Sequence, residues 1–274
     1  MITNSIELLK KAREGGYAVG AFNAYDMESA QAIIWAAEKV GMPVILQTSQ
    51  TSLEYAGFDT LSSIIFMLAQ KAKVPVVTHL DHGTDIKLIK QAIESEKYTS
   101  VMFDGSKLPF SENVKATSDI VNSAHRKHIT VEAELGIIQS DKTFSAQKTE
   151  CTDPRLAAEF TVKTKCDSLA VAFGNVHGEK VEGEKLNFDA LKLVAESVDV
   201  PLVFHGASNS TAAEFKKVIE IGIAKINIDT QLRQAFVKSL QQKSKQKDPR
   251  AILDSARAGM EKVVADCLRE FSPQ

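Results

Sequence analysis

The feature that most limits the fold of this chain is an alternation of apolar runs of strand length with amphipathic segments of helix length. The apolar runs recur eight times, at 17–23, 43–49, 74–82, 100–105, 129–136, 168–178, 200–208 and 225–230. The segments between them place apolar residues at helical spacing, as Ala30, Ile33 and Ala37 do. Strands that alternate with helices pair in parallel through right-handed crossovers.

Eight such units predict a (β/α)₈ TIM barrel that forms a single domain over residues 1–274. An extra helix is expected near each end, at Ser5–Glu14 and Ala251–Phe271. The second should pack under the barrel or against another subunit. A doubly wound open sheet is the alternative fold, but it is disfavoured because Gly20-Ala21-Phe22-Asn23 lacks the glycine-rich phosphate-binding fingerprint.

Composition narrows the class of partner. The formal net charge of -2 gives no reason to expect binding to nucleic acid or to an anionic membrane. The N-terminus does not resemble a signal peptide, and no window approaches the length of a membrane span. The three cysteines, Cys151, Cys166 and Cys267, are few, odd in number and widely spaced, which fits a cytoplasmic protein without disulfides.

Polar side chains end all eight apolar runs. In a barrel these ends converge on one mouth, where active residues are found. They are, in chain order, Asn23, Ser49, Asp81, His82, Asp104, Ser106, Glu132, Glu134, Asn175, His177, His205, Ser208, Asn227, Asp229 and Thr230.

Three of these residues, His82, His177 and His205, come from the third, sixth and seventh runs. Three histidines on adjacent rigid strands, with one position left open, are typical of a catalytic zinc site. A hydrogen-bonded structural role is the alternative for any one of them. His125 and His128 fall at the opposite face and are expected on the surface.

Carboxylates flank the predicted metal ligands. Asp81 precedes His82 and is suited to act as a general acid/base beside a cation. Asp104 and Glu134 either form a second metal position or make salt bridges at the barrel mouth. His79 should point away from His82, into the core or behind the ligands.

The last two runs predict an anion site. Gly206, Ser208, Asp229 and Thr230 place backbone N–H groups and hydroxyls where barrels commonly hold a phosphate. Arg233 lies one helical turn further on, where it either grips a second anion or forms a surface ion pair.

Together these motifs identify a resemblance that covers essentially the whole chain. The sequence is similar to the class II, metal-dependent ketose-bisphosphate aldolases. The motifs that carry it are HLDHG (79–83), DGS (104–106), EAELG (132–136), GNVHG (174–178), HGAS (205–208) and NIDT (227–230), supported by GAFN (20–23) and DPR (248–250).

The resemblance implies roles for these residues. Zn²⁺ would be held by the three histidines and would polarise the C2 carbonyl of a sugar bisphosphate, with Asp104 and Glu134 at an alternative metal position. Asp81 would transfer the C4 hydroxyl proton, and Asn227 would hold the enediolate. A monovalent cation (Na⁺ or K⁺) and a homodimer or homotetramer are also implied. The substrate-binding set would be Asn23, Ser49, Gly178, Gly206, Ser208, Asp229, Thr230 and Arg233.

Substrate choice rests on a few positions. Asp229 and Arg233 resemble the fructose-1,6-bisphosphate version of the family, because tagatose-type members tend to have a smaller residue and a lysine there. Schiff-base chemistry is disfavoured, since it needs a desolvated lysine in the site. The sixth run has no lysine up to Gly174, and Lys225 falls at the wrong end of the eighth.

Two segments depart from the family pattern. Residues 137–143 lack the paired glycines and the glutamate of the family's mobile loop, and Asp141 is the nearest carboxylate. Glu179-Lys180-Val181 replaces the usual tyrosine and lysine near the phosphate, with Lys180 as a substitute one place early. These departures leave open an aldolase for tagatose 1,6-bisphosphate or another phosphorylated ketose, and a catalytically weak barrel that binds sugar phosphate.

Overall fold

Eight parallel strands close into a barrel in the structure, a computed structural model that describes residues 1–145, 150–179 and 181–273. Neighbouring strands follow the order β1-β2-β3-β4-β5-β7-β9-β10, and β10 pairs with β1 to close the ring. This closed ring confirms the predicted TIM barrel and excludes the alternative fold, a doubly wound open sheet. The strands are β1 Val19–Asn23, β2 Val44–Ser49, β3 Val76–Gly83, β4 Ser100–Phe103, β5 Thr130–Leu135, β6 Gln139–Ser140, β7 Ser168–Val171, β8 Val176–His177, β9 Leu202–Phe204 and β10 Ile223–Ile228.

Helices surround the barrel, and several begin with a side-chain cap. Asp153 accepts hydrogen bonds from the first-turn N–H groups of Arg155 and Leu156, and Thr211 forms a capping box with Glu214. The helices are α1 Ser5–Gly15, α2 Met27–Val40, α3 Gln50–Ala56, α4 Phe58–Lys71, α5 Ile86–Glu94, α6 Phe110–His125, α7 Pro154–Thr164, α8 Phe188–Ser197, α9 Ala212–Ile221, α10 Thr230–Gln242 and α11 Pro249–Phe271, with a short 3₁₀ turn at Ala207–Asn209.

The two terminal helices pack against different parts of the barrel. Leu9 and Ala12 of α1 pack into a cluster with Val19, Ile45 and Ala224 from the strands, so α1 covers part of the barrel interior. Helix α11 packs on α2 and α10 of the same chain, where its apolar side is buried. This helix was expected to pack either under its own barrel or against another subunit. In the structure it packs against its own barrel. No helix in the described part of the chain is long and apolar enough to cross a membrane.

The sequence prediction was wrong about the run at 168–178. Strand β7 ends at Val171, and β8 begins at Val176 and pairs with β6 outside the barrel. The side chain of Asn175 accepts a hydrogen bond from the N–H of Phe173, and Gly174 has a φ of +95°. A local side-chain hydrogen bond thus replaces the backbone hydrogen bonds to a neighbouring strand, although the segment between β7 and β8 stays mainly apolar and buried.

Helix α3 was missing from the prediction, and α10 was anticipated only by the helical turn that leads to Arg233. Helix α3 begins directly after β2, because the Ser49 hydroxyl accepts a hydrogen bond from the N–H of Ser52. Helix α10 begins at Thr230, at the end of β10, so its N-terminus lies at the barrel mouth. Both helices place their first turn beside the predicted site.

Candidate functional site

A cleft of about 280 Å³ opens at the barrel mouth, where the carboxyl ends of the strands meet. It brings together all the residues predicted to be catalytic or substrate-binding, with the three histidines and Thr51, which the sequence did not indicate. The lining residues are Asn23, Ser49, Thr51, Asp81, His82, His177, Gly178, His205, Gly206, Ser208, Asn227, Asp229, Thr230 and Arg233.

Asp81 and His82 both reach this cleft although they are adjacent in β3. In a regular strand, successive side chains point to opposite faces. Here the pairing of β3 with β4 shifts register between Leu80 and Gly83, and His82 has a left-handed backbone with φ +47°. Such a conformation is costly for a non-glycine residue and is typical of functional sites. The irregularity explains how two neighbours serve one site.

The three histidine rings converge. Nε2 of His82 lies 2.9 Å from Nδ1 of His205, and the rings of His82 and His177 are 4.9 Å apart between centroids. One nitrogen of each residue lies within 4.8 Å of the other two. Three nitrogens that bind one tetrahedral ion at about 2.1 Å lie about 3.4 Å from each other. The donor set and its spacing therefore fit a zinc-like metal ion.

A second group of possible ligands shares His82. Its Nδ1 lies 3.4 Å from Oδ2 of Asp104 and 3.9 Å from Oε2 of Glu134. Oε2 of Glu134 is buried and has no hydrogen-bond partner among the described residues. Burial, helped by the charge of Asp104, raises the pKa of Glu134 to about 8. An oxygen donor in this situation suits a cation, as predicted for the alternative position.

The protonation of the three histidines differs. Burial opposes charging of His82, but Asp81, Asp104 and Glu134 outweigh it and raise the pKa of His82 to about 10. Burial and the nearby His82 lower the pKa of His177 to about 3, and the same two causes place the pKa of His205 well below its usual range. Without metal, one positive charge is therefore held on His82, and the other two rings are neutral.

The Asp81 carboxylate is fixed by two amides. Its Oδ2 accepts a hydrogen bond from Nδ2 of Asn23, and its Oδ1 accepts one from Nδ2 of Asn227, each at 3.0 Å. Asn23 is itself held by Nε2 of the buried Gln47 at 2.7 Å. Burial tends to raise the pKa of Asp81, but the charges of His82, His205 and Lys225 and the bond from Asn23 lower it. Asp81 is thus an ionised acceptor in a fixed orientation.

Gln47 was missed by the sequence reasoning. The signal was available, because Gln47 lies two residues before Ser49, on the same side of the second predicted strand.

The predicted anion site is assembled around the start of α10. The Ser208 hydroxyl accepts hydrogen bonds from the N–H groups of Asp229 and Thr230, at 3.3 and 3.2 Å. Gly206 and Gly178 have φ of +72° and +101°. A Cβ on Gly206 would lie 2.5 Å from the carbonyl oxygen of Val176, so a side chain does not fit there. The bare backbone of these two glycines and the N-terminus of α10 thus face one corner of the cleft, where Ser208 accepts from two of the N–H groups.

Of the two roles that the sequence left open for Arg233, the structure shows the ion pair. Its Nε lies 3.0 Å from Oδ2 of Asp229, one helical turn earlier, and it also lines the cleft. A second cavity of about 580 Å³ adjoins the cleft along Gly178, Thr230 and Arg233. The pair therefore separates two connected spaces.

The two segments that depart from the family pattern lie beside this second cavity. Oδ2 of Asp141 accepts a hydrogen bond from the N–H of Glu179 at 3.0 Å, and Oε1 of Glu179 accepts one from Nε2 of Gln234 at 3.1 Å. The Asp141 carboxylate is thus engaged with the chain next to Gly178. Lys180, the predicted phosphate lysine, falls outside the described residues.

Lys225 lies in the amino-terminal half of β10, as predicted, and it is not among the residues that line the cleft. Its side chain is buried inside the barrel, with Nζ 2.6 Å from Oε2 of Glu132. The contact with Glu132 was not predicted from the sequence. His79 is buried, as predicted, beside Lys225, and the partly exposed His125 pairs with Asp167.

Comparison with known proteins gives a consistent result. Residues 3–274 match the sequence model of the family described as fructose-bisphosphate aldolase class-II. The structure is similar to that of the YdjI aldolase from Escherichia coli K12, with a TM-score of 0.91 and 35% identity over 100% of this chain and 98% of that one. It is also similar to fructose-bisphosphate aldolase from Campylobacter jejuni, with a TM-score of 0.85 and 25% identity over 98% and 95% of the two chains.

Proposed function

The chain belongs to the class-II fructose-bisphosphate aldolase family, and we propose that it catalyses the reversible, zinc-dependent cleavage of fructose 1,6-bisphosphate to dihydroxyacetone phosphate and glyceraldehyde 3-phosphate. The observation that carries the proposal is the convergence of three histidine nitrogens and an ionised Asp81 in one cleft, beside a corner built to bind an anion.

His82, His177 and His205 would hold the zinc ion. A metal with three imidazole ligands keeps one position for solvent or substrate, and it supplies a Lewis acid that polarises the ketose carbonyl. Three neutral nitrogen donors suit zinc better than magnesium or calcium, which prefer oxygen. Asp104 and Glu134 would serve the alternative position that shares His82.

Asp81 would move the proton at the C4 hydroxyl. In cleavage it accepts this proton, and in condensation it returns it. Its lowered pKa keeps it ready to accept a proton at neutral pH. The amides of Asn23 and Asn227 each donate to one oxygen of the Asp81 carboxylate. They thereby fix the orientation in which it exchanges the proton. Oδ1 of Asn227 has no partner within the described chain, so it can accept a hydrogen bond from a hydroxyl of the dihydroxyacetone phosphate half.

The C1 phosphate would bind at the corner formed by Gly178, Gly206, Ser208 and Thr230. The N-terminus of α10 favours an anion there through the helix dipole. Asn23 and Ser49, which end β1 and β2 and also line the cleft, would contact the sugar hydroxyls.

Fructose 1,6-bisphosphate is the first choice of substrate because of the pair between Asp229 and Arg233. Another phosphorylated ketose, such as tagatose 1,6-bisphosphate, is the second candidate. The adjoining cavity of about 580 Å³, with Glu179 on its wall, supports it, since that space accommodates a substrate of different shape. The similarity to the YdjI aldolase leaves this substrate question open.

A coupled assay on both C4 epimers tests the proposal. The purified chain, loaded with Zn²⁺, should cleave fructose 1,6-bisphosphate with the higher kcat/KM, and EDTA should abolish cleavage. Cleavage that resists the chelator rejects the zinc mechanism, and a higher kcat/KM for tagatose 1,6-bisphosphate supports the second candidate. Binding of dihydroxyacetone phosphate without proton exchange or cleavage indicates a catalytically weak barrel.

Two further parts of the proposal concern the setting of the protein. All three cysteines are free thiols, which suits a reducing compartment such as the cytoplasm. We also propose that the chain forms a homodimer or homotetramer, which light scattering on the purified chain tests.

A further inference from the structure

A second layer of polar side chains lies inside the barrel, next to the histidines. His79, Ser100, Glu132 and Lys225 come from β3, β4, β5 and β10, and each is at most 2% exposed. None of the four lines the substrate cleft. Burying an ammonium and a carboxylate is unfavourable unless they are well paired. An apolar barrel interior would avoid this cost, so the layer calls for a function.

The contacts of this layer lead to one metal ligand. Nζ of Lys225 lies 2.6 Å from Oε2 of Glu132, and Oε1 of Glu132 lies 2.8 Å from Nε2 of His205. Because the carboxylate accepts, His205 donates its Nε2–H to it. The ring nitrogen that remains available is Nδ1, which faces His82.

Lys225 is held in place from its other side. Nε2 of His79 lies 3.3 Å from Nζ, and Nδ1 of His79 lies 2.8 Å from the Ser100 hydroxyl. The ammonium therefore has a carboxylate on one side and an imidazole on the other. Neither partner belongs to the cleft, so the lysine is directed at Glu132 and away from substrate.

We propose that Lys225 is a positioning residue for the metal site, which fixes the carboxylate of Glu132 so that Glu132 orients His205 with Nδ1 toward the metal. Imidazole ligands commonly donate their second N–H to a carboxylate, and this outer partner sets ring orientation. The last torsion of a glutamate side chain has a broad range of angles, and the ammonium on Oε2 selects the orientation that aims Oε1 of Glu132 at His205. This inference rests on the metal site of the proposed function.

The test is metal affinity, measured on the full chain after removal of metal. Lys225→Met should bind Zn²⁺ and Co²⁺ about 10- to 100-fold more weakly in competition with a chelator, the usual loss for an outer-shell partner. The visible absorption of the Co²⁺ form should also change, because the His205 ring is no longer held. Reductive trapping of substrate on Lys225 would make this residue a nucleophile and overturn the proposal.

Lys225→Met leaves Glu132 buried without its partner, and it can fail to fold. The double variant Glu132→Gln/Lys225→Met removes both charges and should fold, as thermal unfolding of the metal-free chain checks. It should still bind metal at least about tenfold more weakly, because a neutral amide holds His205 less firmly. Metal affinity equal to that of the unaltered chain in this variant would overturn the proposal.

Ser100→Ala is the matched control. It removes a buried polar atom from the same layer but leaves the contacts among Lys225, Glu132 and His205 intact. Its metal affinity should stay within about threefold of the unaltered chain, since no contact of a ligand changes. A loss as large as that of Lys225→Met would mean that any disturbance of the layer has the same effect, and would overturn the specific role. If the unaltered chain itself binds no metal, the proposed function fails instead.

Discussion

Nε2 of His82 and Nδ1 of His205 lie 2.9 Å apart, although 123 residues separate them in the chain. Two neutral rings could not both present lone pairs at this distance without repulsion. In the metal-free protein the pKa of His82 is raised to about 10, so its ring is protonated. Nε2–H of His82 then donates a hydrogen bond to Nδ1 of His205, which removes the repulsion. A metal ion bound as proposed would replace that proton.

Zinc binding should therefore release at least one proton at neutral pH. His82 is protonated below pH 10 and must become neutral to bind metal, so the apparent association constant should rise about tenfold per pH unit from pH 7 toward pH 10. His177, with a pKa of about 3, has no proton to lose in this range. Titration calorimetry in two buffers of different ionisation enthalpy measures the release. A pH-independent association constant would contradict the pairing inferred for His82.

Asp81→Ala should retain zinc and fold but lose most turnover. Asp81 is not itself one of the converging metal donors, and general acid/base groups contribute about 10²- to 10⁴-fold to rate. The measurements are kcat, bound zinc and the melting temperature. Asp119→Ala, a change of the same kind at an exposed position on α6, should leave all three unchanged. A kcat of Asp81→Ala within about tenfold of the unaltered chain would remove Asp81 from its role.

Gly206→Ala should weaken substrate binding as well as stability. The backbone there has φ +72°, and the new Cβ would meet the carbonyl oxygen of Val176 at 2.5 Å. We expect a loss of more than about 2 kcal/mol in the free energy of unfolding, above the 1–2 kcal/mol of a left-handed alanine, and a clear rise in KM.

Gly41→Ala is the control for this change. It has a similar φ of +76° with nothing within 4 Å of the new Cβ, so it should lose only about 1–2 kcal/mol and leave KM unchanged. Equal effects of the two substitutions on KM would show that Gly206 does not shape the anion site.

Arg233→Ala should change the preference between substrates more than the chemistry. It frees the carboxylate of Asp229, 3.0 Å from Nε of Arg233, at the border of the two cavities. We expect the ratio of kcat/KM for fructose over tagatose 1,6-bisphosphate to fall by about tenfold, with metal affinity unchanged. An unaltered ratio would disconnect the pair from substrate choice.

Much of the fold could be predicted because hydrophobic period and strand count are properties of the sequence. The eight barrel strands were all anticipated, and so was the convergence of His82, His177 and His205. The prediction of strand and helix ends failed where local hydrogen bonds override the apolar pattern. Asn175 ends β7 early by bonding to the chain near it, and Ser49 begins a helix that the residue pattern does not show.

Part of the site was beyond sequence reasoning for a different reason. Position along a strand does not say how far a long side chain reaches, so the contact between Lys225 and Glu132 was not anticipated. Likewise, alternation along β3 predicts that Asp81 and His82 point apart, and only the left-handed backbone at His82 brings them together. Such irregularities depend on tertiary packing.

The small ribbon of β6 and β8 outside the barrel has a consequence for how the site responds to its ligands. Ser140 pairs with His177, and the N–H of Asp141 donates to the carbonyl oxygen of His177 at 2.7 Å. Residues 139–141 are thus attached to the backbone of a proposed metal ligand. By thermodynamic linkage, a metal ion that orders His177 strengthens the docking of this segment, and docking returns the same free energy to metal affinity. If His177 binds a metal ion as proposed, loss of the ion would therefore favour release of the segment.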